Sequence, residues 1–115
     1  MMQDWNAYRD SLMEQINDYA SQSPDVMRGL MTINNAGAKT GKLDPKVHEL
    51  IAIAVAVTTR CDGCIAAHVQ KAAELGATKE EISEAMGVAI ALNAGAALVY
   101  SSRALEAYSQ LDDTK

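Results

Sequence analysis

Apolar residues recur at helical spacing along most of the chain, in stretches long enough for helices. From about Asp4 to Ala20, five of them repeat at steps of three and four, which places them on one face of a helix. These residues are Trp5, Tyr8, Leu12, Ile16 and Tyr19. The pattern predicts an amphipathic first helix with one apolar stripe.

A start signal for a second helix follows at once. Ser23 is a common type of N-cap, and Pro24 suits the first helical position, where no amide hydrogen is needed. We expect this helix to begin at Pro24 and to end near Gly37 or Gly41.

An Asp-Pro pair at residues 44–45 repeats the start signal before the almost wholly apolar run Val47–Val57. From residue 51 on, every second residue of this run is β-branched, which also fits a strand. The proline start, the length of the run and its interspersed alanines favour a helix. We therefore expect a central, buried third helix.

Two further breaks divide the rest of the chain. A fourth helix is predicted from about Asp62 to Leu75, and Gly76 is a typical left-handed helix stop. Thr78 and Glu81 form a capping-box pattern that begins a fifth helix.

An Asn-Ala-Gly sequence at residues 93–95 is expected to interrupt the last helical stretch, so that a sixth helix follows it. That helix carries Leu98, Leu105 and Tyr108, and the tail is expected to fray from Asp112. The sequence thus predicts a single all-α domain of about six helices over residues 1–115.

Composition and charge limit the partners of such a domain. Apolar residues make up 49% of the chain and aromatic residues only 4%, with no Phe, which favours closely packed helices over a β-sandwich. The net charge of −5 disfavours nucleic-acid binding. The N-terminus lacks a secretory pattern, and we find no apolar run long enough to span a bilayer, so we expect a cytoplasmic protein with no membrane partner.

Cys61, Cys64 and His68 form the strongest chemical signal. Steps of three and four place all three side chains on one stripe of a helix, and Cα atoms three residues apart are about 5 Å apart, a distance that a disulfide tolerates. A helix N-terminus stabilises a thiolate and lowers its pKa. His68, one turn beyond Cys64, can relay a proton. In a reducing compartment such a pair is more typical of redox or metal chemistry than of a structural staple.

Glu49 is the one carboxylate in the central apolar run. If the third and fourth helices form an antiparallel hairpin that turns near Arg60, Glu49 lies eleven residues before the turn and His68 eight after it. The difference is about 4.5 Å along the helix axes, which a glutamate side chain spans. We therefore expect Glu49 to hold His68 and to share its proton.

Three other interpretations use the same residues. The cysteines can be small buried apolar side chains. The four side chains can bind a metal, although structural zinc sites usually gather ligands from two separate knuckles and this chain has one cysteine pair. A thioredoxin-like fold needs a cis-proline after the cysteines, whereas both prolines of this chain precede them.

The complete spacing resembles the E-x11-C-x2-C-x3-H signature of the alkylhydroperoxidase D-like proteins, which belong to the carboxymuconolactone decarboxylase superfamily. The matching residues are Glu49, Cys61, Cys64 and His68. The flanking sequences H-E-L-I-A-I-A-V-A and A-L-V-Y-S-S-R-A-L-E-A agree as well, and the likeness covers about residues 24–110.

The resemblance implies an all-α fold that assembles as homotrimers or homohexamers, and a thiol-dependent peroxidase or disulfide reductase that acts in oxidant defence. Carried over by position, Cys64 is the thiol that attacks a small hydroperoxide, and Cys61 resolves the resulting sulfenic acid to a disulfide. Glu49 and His68 form the proton relay. The resemblance implies no bound cofactor; an external dithiol, either dihydrolipoamide-like or a lipoyl protein, resets the pair.

Two features differ from the best-studied peroxidases of that group. Gly63 stands where they have a histidine, so one component of the relay is missing. Their chains are also longer, with two copies of the helical unit, whereas this chain resembles a short single-unit branch. The alternative function is a non-catalytic helical assembly protein whose cysteines sense redox state. A lactone decarboxylase-like enzyme comes third, because that branch lacks the cysteine pair.

Overall fold

The structure is a computed structural model that describes residues 1–112. Within these residues the fold is all-α, as predicted, with short connections and no strand. The helices are α1 (Trp5–Gln22), α2 (Pro24–Thr40), α3 (Pro45–Thr59), α4 (Asp62–Glu74) and α5 (Lys79–Asp112). Asp112 is the last residue of α5, and the rest of the tail that we expected to fray lies outside the described residues.

Local signals determine most of the helix ends. Asp4 caps α1, because its carboxylate accepts a hydrogen bond from the Ala7 N–H at 3.0 Å. The capping box before α5 is confirmed, since Thr78 and Glu81 exchange side-chain to backbone hydrogen bonds of 3.0 and 3.1 Å. Gly76 follows α4 with a φ of 89°, the left-handed conformation expected for a helix stop.

The junction between α1 and α2 differs from the expected serine cap. Pro24 begins α2 as predicted, but the Ser23 side chain makes no capping hydrogen bond. Ser23 also ends α1, and its N–H donates to the Tyr19 carbonyl at 2.9 Å. A single residue thus joins two helices and is held by α1. The second of the two predicted ends of α2 is correct, because Gly41 adopts a left-handed φ of 66° after Thr40.

The predicted break at residues 93–95 is wrong. α5 continues through it as one helix of 34 residues, so the described chain has five helices rather than six. The Asn93 side chain does not end the helix: its Nδ2 donates to the Ala89 carbonyl one turn back at 2.7 Å and to Thr58 Oγ1 on α3 at 3.0 Å. A glycine inside a helix costs about 1 kcal/mol relative to alanine, which so long a helix tolerates.

The central helix of the fold is α3, which packs against both α4 and α5, while α1 packs on α4 and α2 on α1. At the turn between α3 and α4, Arg60 adopts a left-handed φ of 56°, so the chain turns near Arg60 as the predicted hairpin requires. Most of the buried apolar side chains are alanines, which let the helix backbones approach closely. They are Ile53, Ala56, Ala66, Ala72 and Ala89.

An ion pair joins the starts of α3 and α5. Lys46 Nζ lies 2.7 Å from Glu81 Oε2. The hydrogen bond between the two side chains lowers the pKa of Glu81 and raises the pKa of Lys46. Both side chains are about one-third exposed, so water weakens the pair.

A single chain leaves much apolar surface uncovered. The radius of gyration is 19.3 Å, against about 13 Å for a compact chain of this length. On α5, seven large aliphatic side chains are 59–75% exposed: Val88, Ile90, Leu92, Leu98, Val99, Leu105 and Leu111.

The same helix corrects one sequence expectation. The segment Lys79–Leu111 contains an 18-residue window with a mean hydropathy of 1.6, so one helix of the described chain is long and apolar enough to cross a membrane. Our expectation that no apolar run reaches this length is wrong. By length and composition alone, the helix is weak evidence for a membrane span, because core helices of water-soluble proteins meet the same criterion.

Candidate redox-active site

The cysteine pair lies at the start of α4. Cys61 is the N-cap of this helix, and its Sγ accepts a hydrogen bond from the Cys64 N–H at 3.2 Å. A disulfide joins the two half-buried cysteines, whose Cα atoms are 5.2 Å apart, close to the separation expected for a three-residue step. The structure therefore shows the pair in its oxidised state, at a helix end that favours negative charge.

Glu49 and His68 meet across the hairpin of α3 and α4, as their spacing predicts. Glu49 Oε2 lies 2.6 Å from His68 Nδ1. Glu49 is 8% exposed and is the only buried charged residue among those described. When the carboxylate accepts the Nδ1 proton, the ring is held in the tautomer whose Nε2 can accept another. The pair is therefore arranged to transfer a proton through Nε2.

Lys71 also contacts Glu49, and sequence reasoning did not single it out. Its Nζ lies 3.8 Å from Glu49 Oε1. The lysine side chain is 64% exposed, so water screens this ion pair, which stabilises the site little. In the sequence, Lys71 could be found only by its position three residues after His68, which places both on one face of α4. This spacing becomes informative only once Glu49 is known to face α4.

Helix α1 covers the cysteine pair, which the motif did not predict. A Cβ built on Gly63 would lie 2.6 Å from Leu12 Cδ2, so α1 packs where a side chain between the cysteines would stand. Arg9 Nε donates to the Ala66 carbonyl at 3.1 Å and ties the same helix to α4. The glycine that stands where the best-studied peroxidases have a histidine therefore leaves room for α1.

A groove of about 450 Å³ lies between α1 and the start of α4. Both cysteines, Gly63 and His68 line it. A larger groove of about 660 Å³ runs between α3 and α5 and is lined by none of these residues. The smaller groove is the one in which chemistry at the cysteine pair can take place. Within residues 1–112, no three His, Cys, Asp or Glu side chains are grouped to hold a metal ion.

Comparisons with known proteins agree with this fold. The model of the carboxymuconolactone decarboxylase family matches residues 24–107. An uncharacterized protein from Haemophilus influenzae is 45% identical over 109 residues, which cover 95% of this chain and 96% of that protein. The family match spans α2, α3, α4 and most of α5, and thus includes all four motif residues.

Two solved structures share the architecture. The apo form of a carboxymuconolactone decarboxylase family protein from Legionella pneumophila has a TM-score of 0.73 at 36% identity, with 92% of this chain and 95% of that one covered. A protein from Methanobacterium thermoautotrophicum has a TM-score of 0.68 at 33% identity, with 74% of this chain and 96% of that one covered.

The contact between Gly63 and Leu12 leads to a prediction about stability. Gly63→Ala should leave the protein less stable than the matched Gly87→Ala change, because the new methyl group forces the end of the Leu12 side chain to move and this cost offsets the gain in helix propensity. In a Leu12→Ala background the same change should be much less harmful, with a coupling energy of about 0.5–3 kcal/mol in a double-mutant cycle measured by urea denaturation.

The matched control is Gly87→Ala on α5, where an added Cβ meets no atom within 4 Å. That change should be neutral or stabilising by up to about 1 kcal/mol. If Gly63→Ala were as harmless as this control and showed no coupling to Leu12, the close packing of α1 over the cysteines would be wrong.

Proposed function

This chain belongs to the carboxymuconolactone decarboxylase family, and we propose that it is a cysteine-based oxidoreductase, a thiol peroxidase or disulfide reductase that cycles Cys61 and Cys64 between dithiol and disulfide. One observation carries the proposal: a C-x-x-C pair at a helix N-terminus shares a groove with a histidine that a buried glutamate holds. Such an arrangement supplies a stabilised thiolate and a proton carrier in one place.

In the oxidative half of the cycle, a thiolate attacks the terminal oxygen of a hydroperoxide, ROOH. The O–O bond breaks, the alkoxide takes up a proton and leaves as ROH, and the cysteine becomes a sulfenic acid. The second thiol attacks the sulfenic sulfur, so a disulfide forms and water is released. By position we assign the attack to Cys64 and the resolving step to Cys61.

In the reductive half, an external dithiol attacks Cys64 Sγ, and Cys61 leaves as a thiolate. The Cys64 N–H, which donates to Cys61 Sγ at 3.2 Å, stabilises that leaving charge. The second thiol of the reductant then releases Cys64, and the reductant departs as a disulfide. The sum is ROOH plus a dithiol giving ROH, water and a disulfide. A dihydrolipoamide-like molecule or a lipoyl protein in the cytoplasm fits this role, and no bound cofactor is needed.

Glu49 and His68 move the protons in this scheme. His68 Nε2 accepts the proton of the attacking thiol and returns it to the departing alkoxide. Glu49 stabilises the imidazolium that exists between these steps, because its Oε2 lies 2.6 Å from Nδ1.

We further propose that copies of this chain cover one another's exposed apolar faces, as a homohexamer or homotrimer. The 660 Å³ groove between α3 and α5 supports this proposal, since it is lined largely by apolar side chains next to an uncovered α5. An apolar face of this size on one chain usually marks an interface. In this proposal α5 is an assembly helix and not a membrane span.

The cycle itself can be tested with two variants that each leave one thiol. Wild-type protein should consume cumene hydroperoxide in the presence of dihydrolipoamide or dithiothreitol, whereas Cys64→Ser should not turn over. Cys61→Ser, whose sulfenic acid must be reduced directly by the external dithiol, should turn over more slowly than the wild type. After mild oxidation, a sulfenic acid trapped by dimedone and located by mass spectrometry should appear on Cys64 in Cys61→Ser.

A sulfenic acid on Cys61 in Cys64→Ser, with none in the other variant, would reverse the assigned order. A disulfide that forms but supports no turnover with any dithiol would favour the redox-sensing alternative over an enzyme.

Glu49→Gln tests the proton relay. The amide can still accept the Nδ1 hydrogen bond but carries no charge, so it does not stabilise the imidazolium that the proposed proton transfer forms. The rate of iodoacetamide alkylation of the reduced pair near pH 7 should fall by about a hundredfold, with little loss of stability. Glu74→Gln removes a charge from the exposed end of α4 and should change nothing. An unchanged alkylation rate in Glu49→Gln would make Glu49 a structural residue.

Assembly can be tested in the absence of detergent. Sedimentation velocity at micromolar concentration should show trimers or hexamers, and Ile90→Glu should shift them towards monomers, because it buries a charge in the proposed interface. Ser83→Glu, at an exposed polar position of the same helix, is the control and should leave assembly intact. A monomer that stays in solution would refute the proposed assembly, and a wild-type chain that enters solution only with detergent would identify α5 as a membrane helix instead.

A further inference from the structure

The groove over the cysteine pair is lined by more than the catalytic motif requires. Its volume of about 450 Å³ lies in the range of small-molecule sites and is many times the roughly 30 Å³ that a water molecule occupies. Helix α1 contributes Arg9 and four large apolar or aromatic side chains to its wall: Tyr8, Leu12, Met13 and Ile16. A site for hydrogen peroxide alone needs neither this volume nor this apolar wall.

Among residues 1–112, Arg9 is the only lysine or arginine that lines the groove. Its guanidinium is already oriented, because Nε donates to the Ala66 carbonyl at 3.1 Å and Nη1 donates to Asn6 Oδ1 at 2.9 Å. Among the described residues, Nη2 has no hydrogen-bond partner. A half-buried, oriented guanidinium with a spare donor is well suited to bind a carboxylate.

Neither of the other charged groups in the lining, Asp62 and His68, competes with Arg9 for an anion. Asp62 is exposed to water at the start of α4, so its charge is screened. His68 is occupied at Nδ1 by Glu49 and serves the cysteine pair through Nε2. Of the described residues that line the groove, Arg9 is therefore the cation that can hold an anion away from the reacting sulfur.

We propose that the groove binds an oxidant with an apolar arm of several carbons that ends in a carboxylate, so the preferred substrate is a hydroperoxide of a carboxylic acid. The arm lies along the apolar side chains of α1, and Arg9 binds the carboxylate. This inference rests on the proposed function, since the hydroperoxide group reacts at the cysteine as described above. Each methylene buried against α1 should raise affinity about fourfold.

A binding experiment tests the groove without any turnover. Octanoate and 1-octanol form a matched pair that differs in the head group, and titration calorimetry with the disulfide form measures both. At pH 7 octanoate should bind at least about tenfold more tightly than 1-octanol. Hexanoate should bind more weakly than octanoate, by a factor of about four for each of its two missing methylenes. Equal affinities for the acid and the alcohol would overturn the proposal.

Variants separate the charge of Arg9 from its structural bond. Arg9→Gln should lose the preference for octanoate and keep its affinity for 1-octanol, while Arg9→Lys should retain much of the preference. Arg28→Gln, on the exposed face of α2 where Arg28 pairs with Asp25, is the control and should change neither affinity. Unchanged octanoate binding in Arg9→Gln would refute the role of Arg9.

A second variant, Leu12→Ala, distinguishes the loss of the Arg9 charge from a displacement of α1. Leu12→Ala should weaken octanoate and 1-octanol equally and leave their ratio unchanged, because it removes apolar wall but no charge. If Arg9→Gln also abolished 1-octanol binding, the loss would come from a displacement of α1 and not from the missing charge. The ratio of octanoate to 1-octanol affinity in Arg9→Lys and Leu12→Ala would then test the proposal, which requires that both variants keep the preference for octanoate.

The location of binding is tested by protection of the thiols. Octanoate should slow iodoacetamide alkylation of the reduced cysteines, with a saturation constant equal to the dissociation constant that titration calorimetry gives for the reduced protein. Octanoate that binds without protecting them would lie elsewhere, for instance on the exposed face of α5, and would overturn the proposal.

The proposed redox activity and the proposed carboxylate specificity of the groove can be refuted independently. Octanoate binding that depends on Arg9 but no turnover of any hydroperoxide would leave the groove's specificity standing without the proposed activity. Equal turnover of hydrogen peroxide and a carboxylate-bearing hydroperoxide, with no octanoate binding, would confirm the activity and refute this inference.

Discussion

The burial of one carboxylate constrains the rest of this structure. Glu49 is 8% exposed in the middle of the central helix, and a buried charge of this kind is tolerated only when it is paired. Its main partner, His68, lies on the next helix at 2.6 Å. The pairing requires α3 and α4 to form a hairpin of one particular register, which Arg60 closes in a left-handed conformation. Any slip along the axes would leave the carboxylate without its partner.

This register also positions the thiols. Because His68 is fixed on α4, Cys64 stands one helical turn before it and Cys61 caps the same helix. Both sulfurs therefore lie where backbone N–H groups point outwards, and the imidazole lies on the same face. Stability and chemistry depend here on the same pair, since the bond that permits Glu49 to be buried is the bond that orients the ring.

The remainder of the packing is built from small residues and leaves large ones outside. Alanines at the contacts of α3, α4 and α5, together with Gly63 under Leu12, bring the helices close together. So small a core buries few large apolar side chains, and those of α5 remain uncovered in a single chain. Close approach at the site and exposed apolar surface elsewhere are thus two consequences of the same composition, which is rich in alanine and lacks Phe.

The sequence alone determined the features that depend on neighbours close along the chain. The capping box at Thr78 and the stop at Gly76 follow from local hydrogen bonds and backbone sterics, and the C-x-x-C spacing follows from helix geometry. The pairing of Glu49 with His68 was also predictable, because a short hairpin converts sequence distance directly into axial distance. The tertiary structure decided what depends on distant contacts. Asn93 continues α5 instead of ending it, since its amide bonds to Thr58 on another helix as well as to its own. Likewise α1 became a wall of the site only through packing, because Arg9 and Ala66 are 57 residues apart and no local pattern relates them.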